Sequence, residues 1–360
     1  MTGAPEAGLV LRQLRKVLGP RWEFTCDDEF VEIHHSDWGA PFTPARRQPS
    51  WAELLDRLEE AFAEQGVPRA QVLPLRWGRE TEVTISAIQA LDPLLKEGRL
   101  GVYRQGFLPQ PVVRLTAKRN ADGTLRDGFL TSFANASRIQ PVKDESAYAL
   151  ILDEWLTVLS RLGLHARHIS LHGQLTVWRR RLVEGITLHF RHAQLPIGDI
   201  VLLWNASRPE CMAVDLGTSL ERLAWARTRA GWPDLIFGSS ARTVPASVLD
   251  ALRTATLLLG NGILPAGRGA GSITRRVLAA VPQSIASVGV STVVRQNYAY
   301  WNLFAPLQNS WAEVVRMVED EIIVVRPSPF SVGGGAAAVS SGDGLPPCTG
   351  HGRRDCGAGG

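Results

Sequence analysis

The chain has 360 residues, 45% of them hydrophobic, and a formal net charge of +4. That is enough length for two ordinary domains and enough apolar content for a sizeable core, which excludes a chain that stays unfolded for want of one. No apolar run reaches the roughly 18 residues of a membrane span, Met1 to Gly8 lack a basic stretch followed by an apolar block, and four scattered cysteines suggest no disulfide framework, so a cytoplasmic protein without membrane contact is expected.

A helix is predicted over Leu9 to Leu18, ended by Gly19-Pro20, and extended chain over Trp22 to Phe42. A second helix starts at Ser50, where Ser50 and Glu53 have the spacing of a capping box and Trp51, Leu54, Leu55, Leu58 and Phe62 form one apolar stripe. Short β-like runs follow at Val83 to Ile85, Pro111 to Thr116, Gly128 to Phe133, Ile186 to Phe190, Ile200 to Leu203 and Cys211 to Val214, interrupted by a helix near Glu145 to Leu162. Strands that outnumber helices, with connections of irregular length, point to an antiparallel α+β sheet.

After Trp232-Pro233-Asp234 the pattern turns helical, with Val248, Leu249, Leu252, Ala255 and Leu259 on one face before Gly260-Asn261-Gly262. Further helices are predicted around Ser272 to Val281 and Trp311 to Glu321, then a short strand at Ile322 to Val325. From Ser331 the chain is mostly Gly, Ala and Ser and is expected to be disordered. The expected organisation is an extension over 1–49, an α+β domain over 50–240, a smaller all-α domain over 241–328 and a tail over 329–360.

Five histidines, His165, His168, His172, His189 and His192, fall close together in sequence but lack a cysteine or the spacing of a zinc site. Cys348, His351 and Cys356 lie in the low-complexity tail, and no metal ligand is assigned. All but Lys16, Lys96, Lys118 and Lys143 of the 39 basic residues are arginine. The guanidinium fork suits phosphate, so the composition permits a polyanionic partner without demanding one.

Val214-Asp215-Leu216-Gly217-Thr218-Ser219-Leu220-Glu221-Arg222 matches, at six of nine positions, the Val-Asp-Thr-Gly-Met-Gly-Leu-Glu-Arg of alanyl-tRNA synthetases. Val113-Arg114-Leu115-Thr116-Ala117-Lys118-Arg119-Asn120 resembles that family's Val-Arg-Ala-Gly-Gly-Lys-His-Asn. Phe129-Leu130 with Asn135-Ala136-Ser137 resembles its Phe-Phe and Gly-Asn-Phe-Ser, and Trp204-Asn205 its Trp-Asn. Gly262-Ile263-Leu264-Pro265 and Gly271-Ser272-Ile273-Thr274-Arg275-Arg276 resemble segments of its helical tRNA-binding part. The resemblance runs over roughly residues 50 to 325 in the family's order.

It implies a class II synthetase-like antiparallel sheet flanked by helices, followed by the helical domain, and an ATP-dependent ligase that activates alanine or another small amino acid. Arg114 and Arg222 are then the catalytic cations, with Lys118, Phe129 and Gly217 completing the ATP site. Leu130 occupies the adenine-stacking position in strict register, with Phe129 beside it. Asp215, Asn205 and Trp178 would bind the amino acid, and Mg2+ would accompany the triphosphate. Arg268, Arg275 and Arg276 would face a tRNA acceptor stem. Ser219 stands where the family has glycine, and Gly267 where it has the asparagine that reads the stem. Nothing after Phe330 resembles an editing domain. Two alternatives stay open: an adenylate-forming paralogue that charges a carrier protein or small amine, and a non-catalytic tRNA-binding paralogue.

Overall fold

The computed structural model describes residues 5–27, 30–77, 83–100, 104–115, 118–121, 124–287 and 289–324. Helix α1 (Ala7–Leu18) buries Val10, Leu14 and Leu18 on one stripe, and β1 (Trp22–Cys26) and β2 (Phe30–His35) follow as a hairpin. Helix α2 (Trp51–Glu64) opens on the expected capping box: the Ser50 hydroxyl accepts from the Glu53 N–H while the Glu53 carboxylate accepts from the Ser50 N–H. After the one-turn α3 (Asp92–Leu95) come β3 (Gly106–Val113), β4 (Ser132–Val142) and helix α4 (Ser146–Arg161). Strands β5 (Ile169–Gln174), β6 (Trp178–Arg180), β7 (Val183–His192), β8 (Leu195–Asn205) and β9 (Arg208–Ser219) complete the sheet. Helices α5 (Leu220–Thr228), α6 (Trp232–Phe237), α7 (Ala246–Gly260), α8 (Ala270–Leu278), α9 (Val290–Trp301) and α10 (Trp311–Val324) follow.

The result is an α+β fold on a nine-stranded antiparallel sheet ordered β1-β2-β5-β7-β8-β9-β4-β3, with β6 beside β7. Side chains alternate between the two faces of a strand, so the register decides which residues meet. One face packs on the helices: Phe62 of α2 lies between Phe107 of β3 and Trp155 of α4, ring centroids 4.8 and 5.7 Å away. A smaller apolar cluster, with Leu108, Ile139, Leu203 and Ala213 from the sheet and Leu91, Leu94 and Leu95 beside it, covers only one end of the opposite face. The rest of that second face holds the polar groups considered below.

Within residues 1–49, read as an extension, β1 and β2 belong to this sheet: β2 pairs with β5 and carries β1 on its outer edge. Val83 to Ile85 is not a strand, although the Thr84 N–H donates to Leu75 O and its carbonyl accepts from Val113 N–H. The strand expected at Pro111 to Thr116 lies earlier, over β3. The run Gly128 to Phe133 starts as a turn, with Gly128 at φ +82°, and joins β4 only at Ser132. Ile322 to Val324 continue α10, since Ile322 falls on its buried stripe with Val314 and Val318; Val325 and the tail lie outside the described residues.

The described residues, between 5 and 324, all belong to one compact unit. Within it, α7 lies directly on the sheet. Asp250 accepts from the Thr131 N–H (3.0 Å) and hydroxyl (2.6 Å), Thr254 and Ser132 share a hydrogen bond, and Arg253 meets Glu221 of α5 at 2.6 Å. Glu221 could have been an ordinary solvated residue of a first helical turn. It is instead fully buried, and its Oε1 also accepts from Tyr300 Oη (2.7 Å) and the Ala134 N–H (3.2 Å).

Candidate functional site

Strand β9 enters the site from the centre of the sheet. Asp215 and Gly217 share its open face with Asp199 and Val201 of β8 and Ser137 and Ile139 of β4, because Asp199 pairs with Gly217, Val201 with Asp215 and Ser137 with Gly217. Gly217 leaves a gap in this row. A Cβ there would lie 3.4 Å from Asp199 Oδ1 and 3.7 Å from Ser137 Oγ, ordinary contact distances, so the space above it is open to a small group.

Arg114 arrives from the end of β3. Its N–H continues the ladder to Thr131 O, its Nε donates to Ile85 O at 2.7 Å, and its guanidinium lies 5.1 Å over the Phe133 ring. Arg222 sits in the first turn of α5. Ser219 caps that helix by accepting from the Arg222 N–H at 3.1 Å, so its side chain is committed to the backbone and is buried. The neighbouring Thr218 hydroxyl is likewise turned to Ile197 O. Arg222 Nε donates to Gly128 O at 3.1 Å and its guanidinium stands 5.3 Å from the Phe129 ring. Lys118 Nζ and Arg126 lie 5.5 and 5.9 Å from the same ring. Phe129 is half-buried, whereas Leu130 is 5% exposed and belongs to the core, so Phe129 is the ring presented to this side.

Two carboxylates and two guanidinium groups thus lie near one another on this face, close enough to act on each other electrostatically. Arg114 is exposed and Asp199, Asp215 and Arg222 are partly so. Loss of hydration, then repulsion from Asp199, raises Asp215 to about 7, against the opposing pull of Arg114. The nearby Ser137 hydroxyl favours the charged form, but neither its Oγ nor Asp215 Oδ1 completes a well-formed hydrogen bond. Asp199 is raised by the same loss of hydration, opposed first by His189 and then by Arg114 and Arg222. Desolvation lowers both arginines, and Asp199 resists this in each case. A face with unsatisfied acceptors next to cations suits a zwitterion or a cation–anion pair.

Of the residues singled out from sequence, Arg114, Arg222, Asp215, Gly217, Phe129 and Lys118 are brought to this region. Trp178 lies farther along the same face, against Gly185, with its indole N–H donating to Thr187 Oγ1 at 2.9 Å. Asn205 is not brought there. It stands at the other end of β8, where its amide donates to Leu95 O and accepts from the Ser207 and Arg208 N–H groups. Arg268, Arg275 and Arg276 are exposed on α8 and the turn before it, and Arg275 reaches Glu321 at 3.6 Å. Between β3 and β4 an isolated antiparallel bridge joins Arg119 to Leu125; 116–117 and 122–123 lie outside the described residues.

Sequence reasoning missed Asp199, His189 and Ser137. Only His189 carried a signal, the alternation of Thr187, His189 and Arg191 along β7; Asp199 is the sole charged residue of β8. Four of the five histidines form two ring pairs, His168–His192 and His172–His189, each 5.7 Å apart. Among the described residues no group of three or more His, Cys, Asp or Glu is placed to hold a metal ion, and no helix is long and apolar enough to cross a membrane. Comparison with known proteins gives no matching family model and no matching curated protein.

Proposed function

We propose that the chain activates alanine or another small amino acid with ATP, as an aminoacyl-adenylate, and transfers it to the acceptor end of a tRNA. The observation that supports this best is the convergence of Arg114, Arg222 and Asp215 on one face beside the Phe129 ring. Adenylation needs a cation where charge builds on the α-phosphate, a second for the departing pyrophosphate, and a carboxylate that fixes the amino group.

In this reading Asp215 holds the α-ammonium group, which takes up its unsatisfied oxygen. Arg114 steadies the α-phosphate while a carboxylate oxygen of the amino acid attacks phosphorus and pyrophosphate leaves with the bonding electrons. Arg222 and Lys118 hold the pyrophosphate side, and Phe129 offers a flat face to the base. Val201, Thr187 and Trp178 line the same face beyond Asp215 and limit the space for a side chain. Mg2+ carried on the triphosphate supplies further neutralisation of charge. The exposed Arg268, Arg275 and Arg276 are offered to the acceptor stem.

Amino-acid-dependent exchange of pyrophosphate into ATP, measured across a panel of small amino acids, tests this. Exchange with at least one of them is expected, and none with any sinks the reading. A second acceptor class, a carrier protein or small amine, is favoured by Gly267, which has no side chain to read an acceptor stem, and by the pairing of Arg275 with Glu321. It predicts exchange without charging of tRNA.

A further inference from the structure

The register of the sheet extends the site beyond the four charged groups. On the open face, the row that contains Ser137, Gly217 and Asp199 continues into His189 of β7, His172 of β5 and Glu32 of β2. His189 Nδ1 lies 3.9 Å from Asp199 Oδ2, and both side chains are about two-fifths exposed. The imidazole therefore stands between solvent and the carboxylate that borders the Gly217 gap. On its other side is His172, which burial lowers to about 4, so that neighbour is neutral at physiological pH and does not compete for Asp199.

His189 turns Nδ1 toward the Asp199 carboxylate at ion-pair distance, which leaves Nε2, on the opposite side of the ring, to face a ligand. None of the steps assigned to Arg114, Arg222 or Asp215 uses such a group. Activation of a carboxyl group needs no base, whereas the transfer that follows does, because an attacking hydroxyl or ammonium-derived amine must lose a proton as its bond to carbon forms.

We propose that His189 is the general base of the transfer step, positioned by Asp199, a role that rests on the adenylating reading above. As the acceptor oxygen or nitrogen bonds to the acyl carbon, its proton passes to His189 Nε2. The bond between the acyl carbon and the phosphate oxygen breaks, and AMP leaves with the electron pair. Asp199 balances the imidazolium until the proton passes to solvent.

The test separates the two half-reactions in the full chain. Adenylate formation is followed by pyrophosphate exchange. Consumption of the enzyme-bound adenylate is followed as AMP release in a single turnover, with water alone and with 2-aminoethanol as the probe acceptor. His189→Ala is expected to slow AMP release about 100-fold, within the usual range for a general base, while exchange falls far less. Added imidazole is expected to restore release in His189→Ala and to leave the unsubstituted protein unaffected. His189→Gln, which keeps a hydrogen-bonding side chain of similar reach, is expected to show the same split without rescue. Equal loss in both half-reactions, unchanged AMP release, or no recovery with imidazole overturns the proposal. Absence of exchange in the unsubstituted chain refutes the adenylating reading itself, and is seen before any histidine is touched.

Discussion

Replacing Glu221 by alanine isolates the contribution of the buried ion pair that joins α5 to α7. Glu221 and Arg253 have side chains 0% and 1% exposed, and Glu221 Oε1 collects three donors: Arg253 at 2.6 Å, Tyr300 Oη at 2.7 Å and the Ala134 N–H at 3.2 Å. Removing the carboxylate leaves a guanidinium in the core with, among the described residues, the Ser132 carbonyl, a long contact to Asn297, the more distant charge of Asp250, and the faces of Tyr300 and Trp301 at 4.2 and 4.5 Å. Breaking one side of such a pair costs about 3–5 kcal/mol. At the lower end of the usual sensitivity for large domains, about 2 °C per kcal/mol, this is a fall of about 6–10 °C in the thermal midpoint. Glu221→Gln keeps an acceptor for Tyr300 and Ala134 and should lose less. Urea unfolding and thermal scans of the two variants, with Arg253→Met and the double variant to complete the cycle, measure both quantities. A loss below about 1 kcal/mol for Glu221→Ala, or strict additivity with Arg253→Met, would refute the idea that these side chains hold the layers together as a coupled pair.

Three further outcomes follow from the site and its surroundings. Asp215→Asn should raise the KM for the amino acid in the exchange assay about 10- to 150-fold, the usual strength of a charged hydrogen bond; and because Asp215 is held near 7, KM for the unsubstituted chain should fall as pH rises through that value and the carboxylate ionises. His192 is fully buried and lowered to about 3 by burial first and Arg229 second, so its neutral form stabilises the fold at and above the ordinary histidine pKa, and that stability is lost as pH falls from about 6.5 toward 3. Urea midpoints between pH 7 and 4.5 should drop less steeply in His192→Leu, by up to about 1.4 kcal/mol per pH unit. Ser50→Ala removes the acceptor for the Glu53 N–H and should cost about 1 kcal/mol in chemical unfolding, with no change in the exchange rate.

The elements that could be read from sequence were those whose signal is local. The apolar stripe from Leu54 to Phe62 with its Ser50 cap, and the stripe from Val248 to Leu259, each specify a helix without help from the rest of the chain. The run Val83 to Ile85 has strand-forming residues but, among the described residues, its backbone-to-backbone hydrogen bonds are single ones to Leu75 and Val113, so propensity had no ladder to join. Arg114, Asp215 and Arg222 were legible because they lie in motifs that resemble a known family. Asn205 came from the same kind of resemblance, yet at the β8–β9 turn its side chain is taken up by Leu95, Ser207 and Arg208. Asp199 and His189 belong to no motif, and only the pairing of β7, β8 and β9 puts them beside Gly217. A single register shift in β8 would have sent Asp199 to the opposite face, where Ile200 and Leu202 now lie buried.

Asp250, Arg253 and Thr254 occupy one face of a single helix, at intervals of three and one. Through them α7 grips the turn that carries Phe129, the start of β4 and the helix that carries Arg222. The Phe129 turn and the Arg222 helix are therefore not independently adjustable. A substitution that rotates α7 by even a fraction of a turn displaces Phe129 and Arg222 together, so efforts to re-engineer the pocket must change this stripe as a set or leave it alone.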